Sequence, residues 1–523
     1  MAQSLQCVEP ESVITGWDFS TGGVKCLAFD LQGRVLKEIR LPTDVWTGEA
    51  GDVAELNLMQ LEGQARASVR AIVARLRDGG HLAHWVAGGI SATHHTAGRI
   101  DRNFVQVRRA ICWNDQTLAR YREQGETRLG GRDRVRELIG GPWADRYSLS
   151  HLVKDEDADY LEPQAWHQTY RILPHGPLAA GYLTGNFDAT SVSSAASTGI
   201  MDLRTCQWRR EMLGALESAE HQGLAWEQLP RIVDHYEPIG PLADHVALEV
   251  GIDPATGPLV FPTSDDQQAG LVGGGAVDDG QVAVILGNSA VVNSSSEQLP
   301  QGDDLDVMRL NWGPYLWMRC YTNGAQFLDT VVGADPDWGR LEQAGRAAAP
   351  GVGGTLVLPF SKSEPSLGIR RPHTEWFPAR PPSQGDQYRA ALEAIAYLIR
   401  LGVDAHRKAG QNVTRITVSG GIARSDLMCE ILASVLDCRL ERLESDEGPA
   451  LGAAVTALAA VESHHRKARG IEEPFTVADA VAVLVKFAEP VDPNPAWTEV
   501  YREGLRSFVG RLQQLQQKQA KIS

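Results

Sequence analysis

Two adjacent carboxylates stand in the stretch Ser264-Asp265-Asp266-Gln267-Gln268-Ala269-Gly270. At a strand end that leads into a helix of small residues, such a carboxylate suits a general base in a cleft. The same place suits a helix N-cap, where the dipole favours the charge. Adjacent residues can divide the two roles. A second stretch, Gly16-Trp17-Asp18-Phe19-Ser20-Thr21-Gly22-Gly23-Val24-Lys25, reads as a hairpin turn of small residues. Its backbone N–H groups and hydroxyls can meet phosphate oxygens. Asp18 beside it can orient a metal ion or its water, although an ordinary hairpin with an acidic edge has the same appearance. A third, Val418-Ser419-Gly420-Gly421-Ile422-Ala423-Arg424-Ser425, turns from strand to helix on two glycines. That lets a flat ring or a phosphate approach the backbone. The fourth joins Ser91-Ala92-Thr93-His94-His95 to Ala110-Ile111-Cys112-Trp113-Asn114-Asp115. Polar strand ends with an indole fit a polyol pocket. Successive strand residues face opposite ways, so only one of the two histidines is expected to reach it.

The elements around these stretches repeat a plan. Val13-Ile14, Val24 to Asp30 and Arg34 to Leu41 predict a three-stranded meander. Leu58, Leu61, Ala65, Val69, Ile72 and Leu76 predict a helix closed by Gly79. Trp85 to Ile90 and Val107 to Cys112 read as strands, and Asp115 to Asp159 as mostly polar helix. A second opening starts at Pro258-Leu259-Val260-Phe261. Gln281 to Leu286 and Ala290 to Asn293 flank the turn Gly287-Asn288-Ser289. A long helix from Tyr388 to Val403, a strand from Ile416 to Ser419, and helices over Ser425 to Leu436 and Pro449 to Val461 follow. The reading is a duplicated α/β architecture with a cleft between two domains, residues 1–257 and 258–523. The Gln-rich end, Leu512 to Ser523, is expected to be a fraying helix.

Composition narrows the function classes. The 523 residues carry 50 Lys and Arg against 66 Asp and Glu, a formal charge of −16. Such a balance argues against nucleic acid or an anionic membrane as partner. No apolar run of spanning length and no basic, apolar leader is seen. Seven scattered cysteines without a CxxC pair read as reduced thiols in a cytoplasmic protein. There is no GxxxxGK[ST], HExxH or GxSxG. The acidic run Asp155-Glu156-Asp157-Ala158-Asp159 lacks the glycine of a calcium loop and reads as a solvated face.

Taken in order, these stretches resemble the FGGY family of carbohydrate kinases, on the actin/hexokinase-like duplicated fold of two RNase H-like domains. The resemblance runs from about Ile14 to Ala460. Gly16 to Lys25 is similar to the family's Gly-x-Asp-x-Gly-Thr-Ser-x-x-Lys phosphate turn. Ala110 to Gln116 is similar to the Ala-Ile-Leu-Trp-Asn-Asp-Gln segment typical of xylulokinases, and Leu173-Pro174 to Gly185 to the Leu-Pro…Leu-Thr-Gly stretch. Asp266 to Gly270 matches the loop of the catalytic Asp, and Gly420 to Ser425 and Gly448 to Ala453 match the adenosine loops. The chain departs at Ser194, where the family has Asp, at Asn288 for Thr, and at Ile422 for Gly. It departs again at Ser363-Glu364-Pro365 for Gly-Glu-Arg, and at Asp265, where Gly is usual. The sugar motif Gln-Met-His-Gly reads Thr93-His94-His95-Thr96.

The resemblance implies an ATP- and Mg²⁺-dependent kinase with Asp266 as catalytic base. It places Asp18 at the metal, and Ser20, Thr21, Gly22, Gly287, Asn288 and Ser289 around the phosphates. Gly420, Gly421 and Ser425 would line the adenosine, and His95, Trp113, Asn114 and Asp266 the sugar. Asp265 is expected to matter less than Asp266. The expected substrate is D-xylulose, giving D-xylulose 5-phosphate, with ribulose, a pentitol or a glycerol-like acceptor as the alternative. An actin-like nucleotide-binding regulator without sugar turnover is the reading from another class, and retention of Asp18 and Asp266 speaks against it. A homodimer is a candidate assembly.

Overall fold

The computed structural model describes residues 3–48, 51–333, 335–445 and 447–520. Strand Val13–Phe19 turns through Ser20 to Gly22 into the antiparallel strand Gly23–Phe29, which pairs in turn with Val35–Pro42. On its other side Val13–Phe19 pairs in parallel with Trp85–Ala92, a strand reached through helix Leu58–Asp78. That helix starts on Asn57, whose side chain accepts from the Met59 N–H, and buries the row Leu61, Ala65, Val69, Ile72 and Leu76. An apolar stripe of this period is buried against the sheet because that removes it from water along one face only.

The second sheet repeats the scheme. Strand Gln281–Leu286 pairs antiparallel with Ala290–Ser296 across Gly287 to Ser289. It pairs in parallel with Arg415–Ser419, reached through helix Gln384–Lys408. Strands Tyr315–Tyr321, Asp306–Arg309 and Glu441–Arg442 complete that sheet. A hairpin followed by a parallel crossover strand thus occurs twice, as expected for a duplicated α/β chain. A five-stranded side sheet holds Ala97–Ile100 between Gln106–Ile111 and Arg171–Pro174.

The two halves are interlocked more closely than a boundary between 257 and 258 suggests. Leu259–Val260 and Ser264–Asp265 both pair with Trp85–Ala92 and so belong to the first sheet. Helix Gly448–Ala468 lies on that sheet too. A Cβ on Gly16 would stand 1.8 Å from the Ala450 carbonyl oxygen, and one on Gly89 2.0 Å from that of Ala453. The same helix crosses helix Asp266–Gly273, where a Cβ on Gly452 would meet the Ala269 oxygen at 1.8 Å. Only glycine lets backbones approach this closely.

Two further expectations change. The C-terminal helix Pro495–Ala520 is packed rather than frayed, burying Tyr501, Phe508, Leu512 and Leu515; the last three residues lie outside the described chain. The acidic run is a solvated face only in part: Ala158 and Asp159 are exposed and Glu156 and Asp157 half-buried, but its first residue is not. Asp155 is buried, accepts from Arg99 Nε at 2.7 Å and lies 2.8 Å from Arg108 Nε. A buried carboxylate persists only with such partners, and both arginines come from the side sheet.

Candidate active site

Strand register assembles the carboxylates. Asp18 lies opposite Ser91 and Phe19 opposite Ala92, while on the other side Ser264 lies opposite Ser91 and Asp265 opposite Ala92. Three parallel strands therefore end in one row, and the next residue, Asp266, opens helix Asp266–Gly273. The Ser91 hydroxyl donates to Asp18 Oδ1 at 3.1 Å. Burial and the facing Asp266 push the Asp18 carboxyl up to about 7. A carboxyl raised in this way is a fit place for a hard cation, which takes oxygen ligands. Among the described residues no three His, Cys, Asp or Glu side chains gather closely enough to hold a metal by themselves. Lys25, across the hairpin from Asp18, reaches Glu447 at 2.9 Å, just ahead of helix Gly448–Ala468.

The two histidines do not divide as strand alternation suggests. The strand ends at Ala92, and His94 and His95 form a turn in which His95 takes φ 54°. Their rings stack at 4.6 Å, and His95 stacks on Tyr147 at 4.5 Å. Both are buried. His95 Nδ1 donates to the Ser197 carbonyl oxygen at 3.1 Å. Burial, aided by the charge of His94, holds His95 well below the usual histidine range. Its Nε2 is buried with no protein partner. A neutral imidazole whose Nδ1 donates presents a lone pair at Nε2, an acceptor for a hydroxyl hydrogen.

His94 is the residue that the sequence reading missed. Its Nε2 lies 3.1 Å from Asp265 Oδ2 and its Nδ1 3.3 Å from Asp266 Oδ1. Burial opposes its charge, yet Asp265 and then Asp266 hold it above the usual range. Asp265 is itself buried and pushed up to about 6, by burial first and by Asp266, against the pull of His94 and of the Ser197 and Ser194 hydroxyls. A doubled histidine beside a doubled aspartate was the available signal. Pairing them required knowing that the chain turns at Thr93.

The small-residue turns are placed as follows. Ser20 Oγ donates to the Gly23 carbonyl and accepts from the Gly22 and Gly23 N–H groups, closing the first turn on itself, with Thr21 half-buried and Gly22 exposed at its tip. Ile285 lies opposite Ser419, so Gly287-Asn288-Ser289 and Gly420-Gly421 leave the same end of the second sheet side by side. Gly420 has φ 96°, and a Cβ there would be 2.5 Å from the Leu286 oxygen. Gly421 instead faces open space. Ser425 is committed to structure: as N-cap of helix Asp426–Leu436 it accepts from the Met428 N–H, and it donates to Glu342 at 2.7 Å. Trp113 and Asn114 form an exposed turn; Ala97 pairs with Ile111, so this turn and His95 leave the side sheet at one end. Asn293 of the second sheet donates to the Gln267 carbonyl at 3.2 Å, tying that sheet to the residue after Asp266.

Comparison with known proteins bears on the family and the fold. Residues 13–273 match the N-terminal domain, and 340–461 the C-terminal domain, of the FGGY family of carbohydrate kinases. A xylulose kinase of Escherichia coli (strain K12) is 27% identical over 473 residues, 84% of this chain and 88% of that protein. The crystal structure of a ligand-bound xylulose kinase from Lactobacillus acidophilus superposes with a TM-score of 0.82 at 18% identity, covering 98% of this chain and 100% of the other. A gluconate kinase from the same organism gives 0.81 at 18% identity, with 98% and 100% covered. The fold is thus actin/hexokinase-like, with two α/β domains about a catalytic cleft. The chain belongs to the FGGY family of carbohydrate kinases and is an ATP-dependent sugar kinase.

Proposed function

We propose that the chain transfers the γ-phosphate of ATP to the terminal hydroxyl of a ketopentose, D-xylulose first, with Asp266 as general base. The observation that carries this reading is the register of three parallel strands that brings Asp18 and Asp266 face to face. Asp266 is half-buried, its side chain 29% exposed, so a bound sugar can reach it. It accepts the hydroxyl proton as the oxygen attacks. A general base contributes about 10²–10⁴ in rate, and the rest of phosphoryl transfer is positioning and charge neutralisation. His95 Nε2 accepts from a sugar hydroxyl, and Trp113 and Asn114 close over the sugar from the same end of the side sheet. Asp18 would hold Mg²⁺, and that ion would supply neutralisation of the charge on the transferred group. Ser20, Thr21 and Gly22 face the γ-phosphate, Gly287, Asn288 and Ser289 the inner phosphates, and Gly420 and Gly421 the adenosine.

The names of the relatives and the Trp113-Asn114-Asp115 segment favour D-xylulose. The seven free thiols favour the cytoplasm as the place of action. ADP release measured against pentuloses, pentitols, glycerol and gluconate tests the substrate. D-Xylulose is expected to give the highest kcat/KM. A preference of about tenfold or more for another acceptor, roughly 1.4 kcal/mol, overturns the substrate and leaves the kinase activity standing.

A further inference from the structure

His94 and Asp265 are two of the positions at which the chain departs from the motifs it resembles. Both residues are buried, and they touch each other at 3.1 Å. We propose that His94, clamped by Asp265, is a positioning residue for Asp266, so that the base of this kinase is a three-residue unit, Asp265–His94–Asp266. The inference rests on Asp266 as the base, and the test below separates the two.

The geometry has the form of a base held by an orienting group that is held in turn. Asp266 Oδ1 receives the His94 backbone N–H at 3.3 Å and faces the His94 Nδ1 at 3.3 Å. The backbone N–H engages one carboxylate oxygen, and the other is left for the sugar. His94 Nε2 lies 3.1 Å from Asp265 Oδ2. Both ring nitrogens are thus within ion-pair distance of a carboxylate, without hydrogen-bond geometry to either. Asp265 cannot swing away. Ser194 donates to its Oδ1 at 3.2 Å, and its own backbone N–H donates to Ser193 Oγ at 3.0 Å. The plane of the His94 ring is set by its stack on His95, which stacks in turn on Tyr147.

The charges around the unit explain why a cation is kept there. Asp18, on the far side of strand Trp85–Ala92, and Asp265 both feel the charge of Asp266, so three acidic groups share this end of the sheet. His94 offsets one of them. Arg146 is the other cationic neighbour of His94, and it pairs with Asp306; His95 and His175 lie close by and are held neutral by burial. A positive ring beside Asp266 does not make it a stronger base. Its contribution is orientation, for which a misplacement of about 1 Å costs on the order of 10²-fold.

Steady-state kinetics on His94→Met, Asp265→Asn, their double variant and Asp266→Asn test this. His94→Met is expected to lose roughly 10–100-fold in kcat, with the KM for ATP within about twofold of the parent. Asp265→Asn is expected to lose less. The double variant is expected to be no worse than His94→Met alone, because Asp265 acts through His94, and this non-additivity is a signature that two independent structural losses do not produce. The proposal is overturned if either folded single variant keeps kcat within about twofold, or if the two losses multiply. Should His94→Met not fold, His94→Gln, which keeps one N–H donor, is measured by the same criteria. An active Asp266→Asn enzyme instead removes Asp266 as the base, whatever the other variants do.

Discussion

The Ser91 hydroxyl donates to Asp18 Oδ1 at 3.1 Å, across a parallel strand pair in which these two residues are exact partners. That bond favours the carboxylate, but burial and Asp266 outweigh it and leave the Asp18 carboxyl at about 7. A carboxyl raised in the folded state from an ordinary value of 3.8 contributes most favourably at low pH and loses that advantage as pH rises to about 7. In buffer without nucleotide or Mg²⁺, Asp18→Asn is therefore expected to melt above the parent at pH 8, by roughly 2–4 °C per kcal/mol relieved. The gap should vanish by pH 4. Differential scanning fluorimetry across that range checks it, and a gap that widens toward acid pH contradicts the buried, Asp266-facing position of Asp18.

Asp266→Asn keeps size and most hydrogen bonding but cannot take a proton. Its kcat is expected to fall by about 10²–10⁴, while ATP still binds. Stopped-assay ADP release together with calorimetric ATP titration checks both parts. Asp265 ranks below Asp266, as its place in the sequence suggests, yet its contact with His94 makes it more than a spectator. Asp265→Asn is expected to cost activity without reaching the Asp266→Asn level.

The two glycines of the Gly420-Gly421 turn should fail differently. Gly420 has no room for a Cβ beside Leu286 and sits at φ 96°, so Gly420→Ala is expected to destabilise the fold, by about 1 kcal/mol or more. Gly421 faces open space, so Gly421→Val should fold normally and weaken ATP binding by about tenfold or more, about 1.4 kcal/mol, with the sugar KM little changed. Thermal melts and ATP calorimetry on the pair distinguish the roles; equal ATP affinity in Gly421→Val removes this loop from the nucleotide site.

Much of this fold was legible in one dimension, because its small-residue turns and the helix opening at Asp266 sit where local rules operate. The small residues of Ser20 to Gly23 and Gly287 to Ser289 demand hairpin turns whatever surrounds them. The double glycine at 420 and 421 demands a strand-to-helix turn, and a carboxylate at Asp266 reads as the opening of a helix. The tertiary structure alone decided what lies next to what. Alternation along a strand separates His94 from His95, but the strand stops at Ala92 and His95 turns left-handed, so both rings stack inward. Asp155 looks solvated beside its acidic neighbours and is instead neutralised by Arg99 and Arg108, some fifty residues earlier. Nor does anything near Gly448 announce that its helix will lie on a sheet begun at Val13. Its approach depends on Gly16 and Gly89 offering bare backbone to Ala450 and Ala453. Local propensity acts within a few residues, whereas charge pairing and close backbone contact act through space between segments hundreds of residues apart. For that reason the turns and the helix opening at Asp266 were readable beforehand, and the contacts of His94 with Asp265 and Asp266 were not.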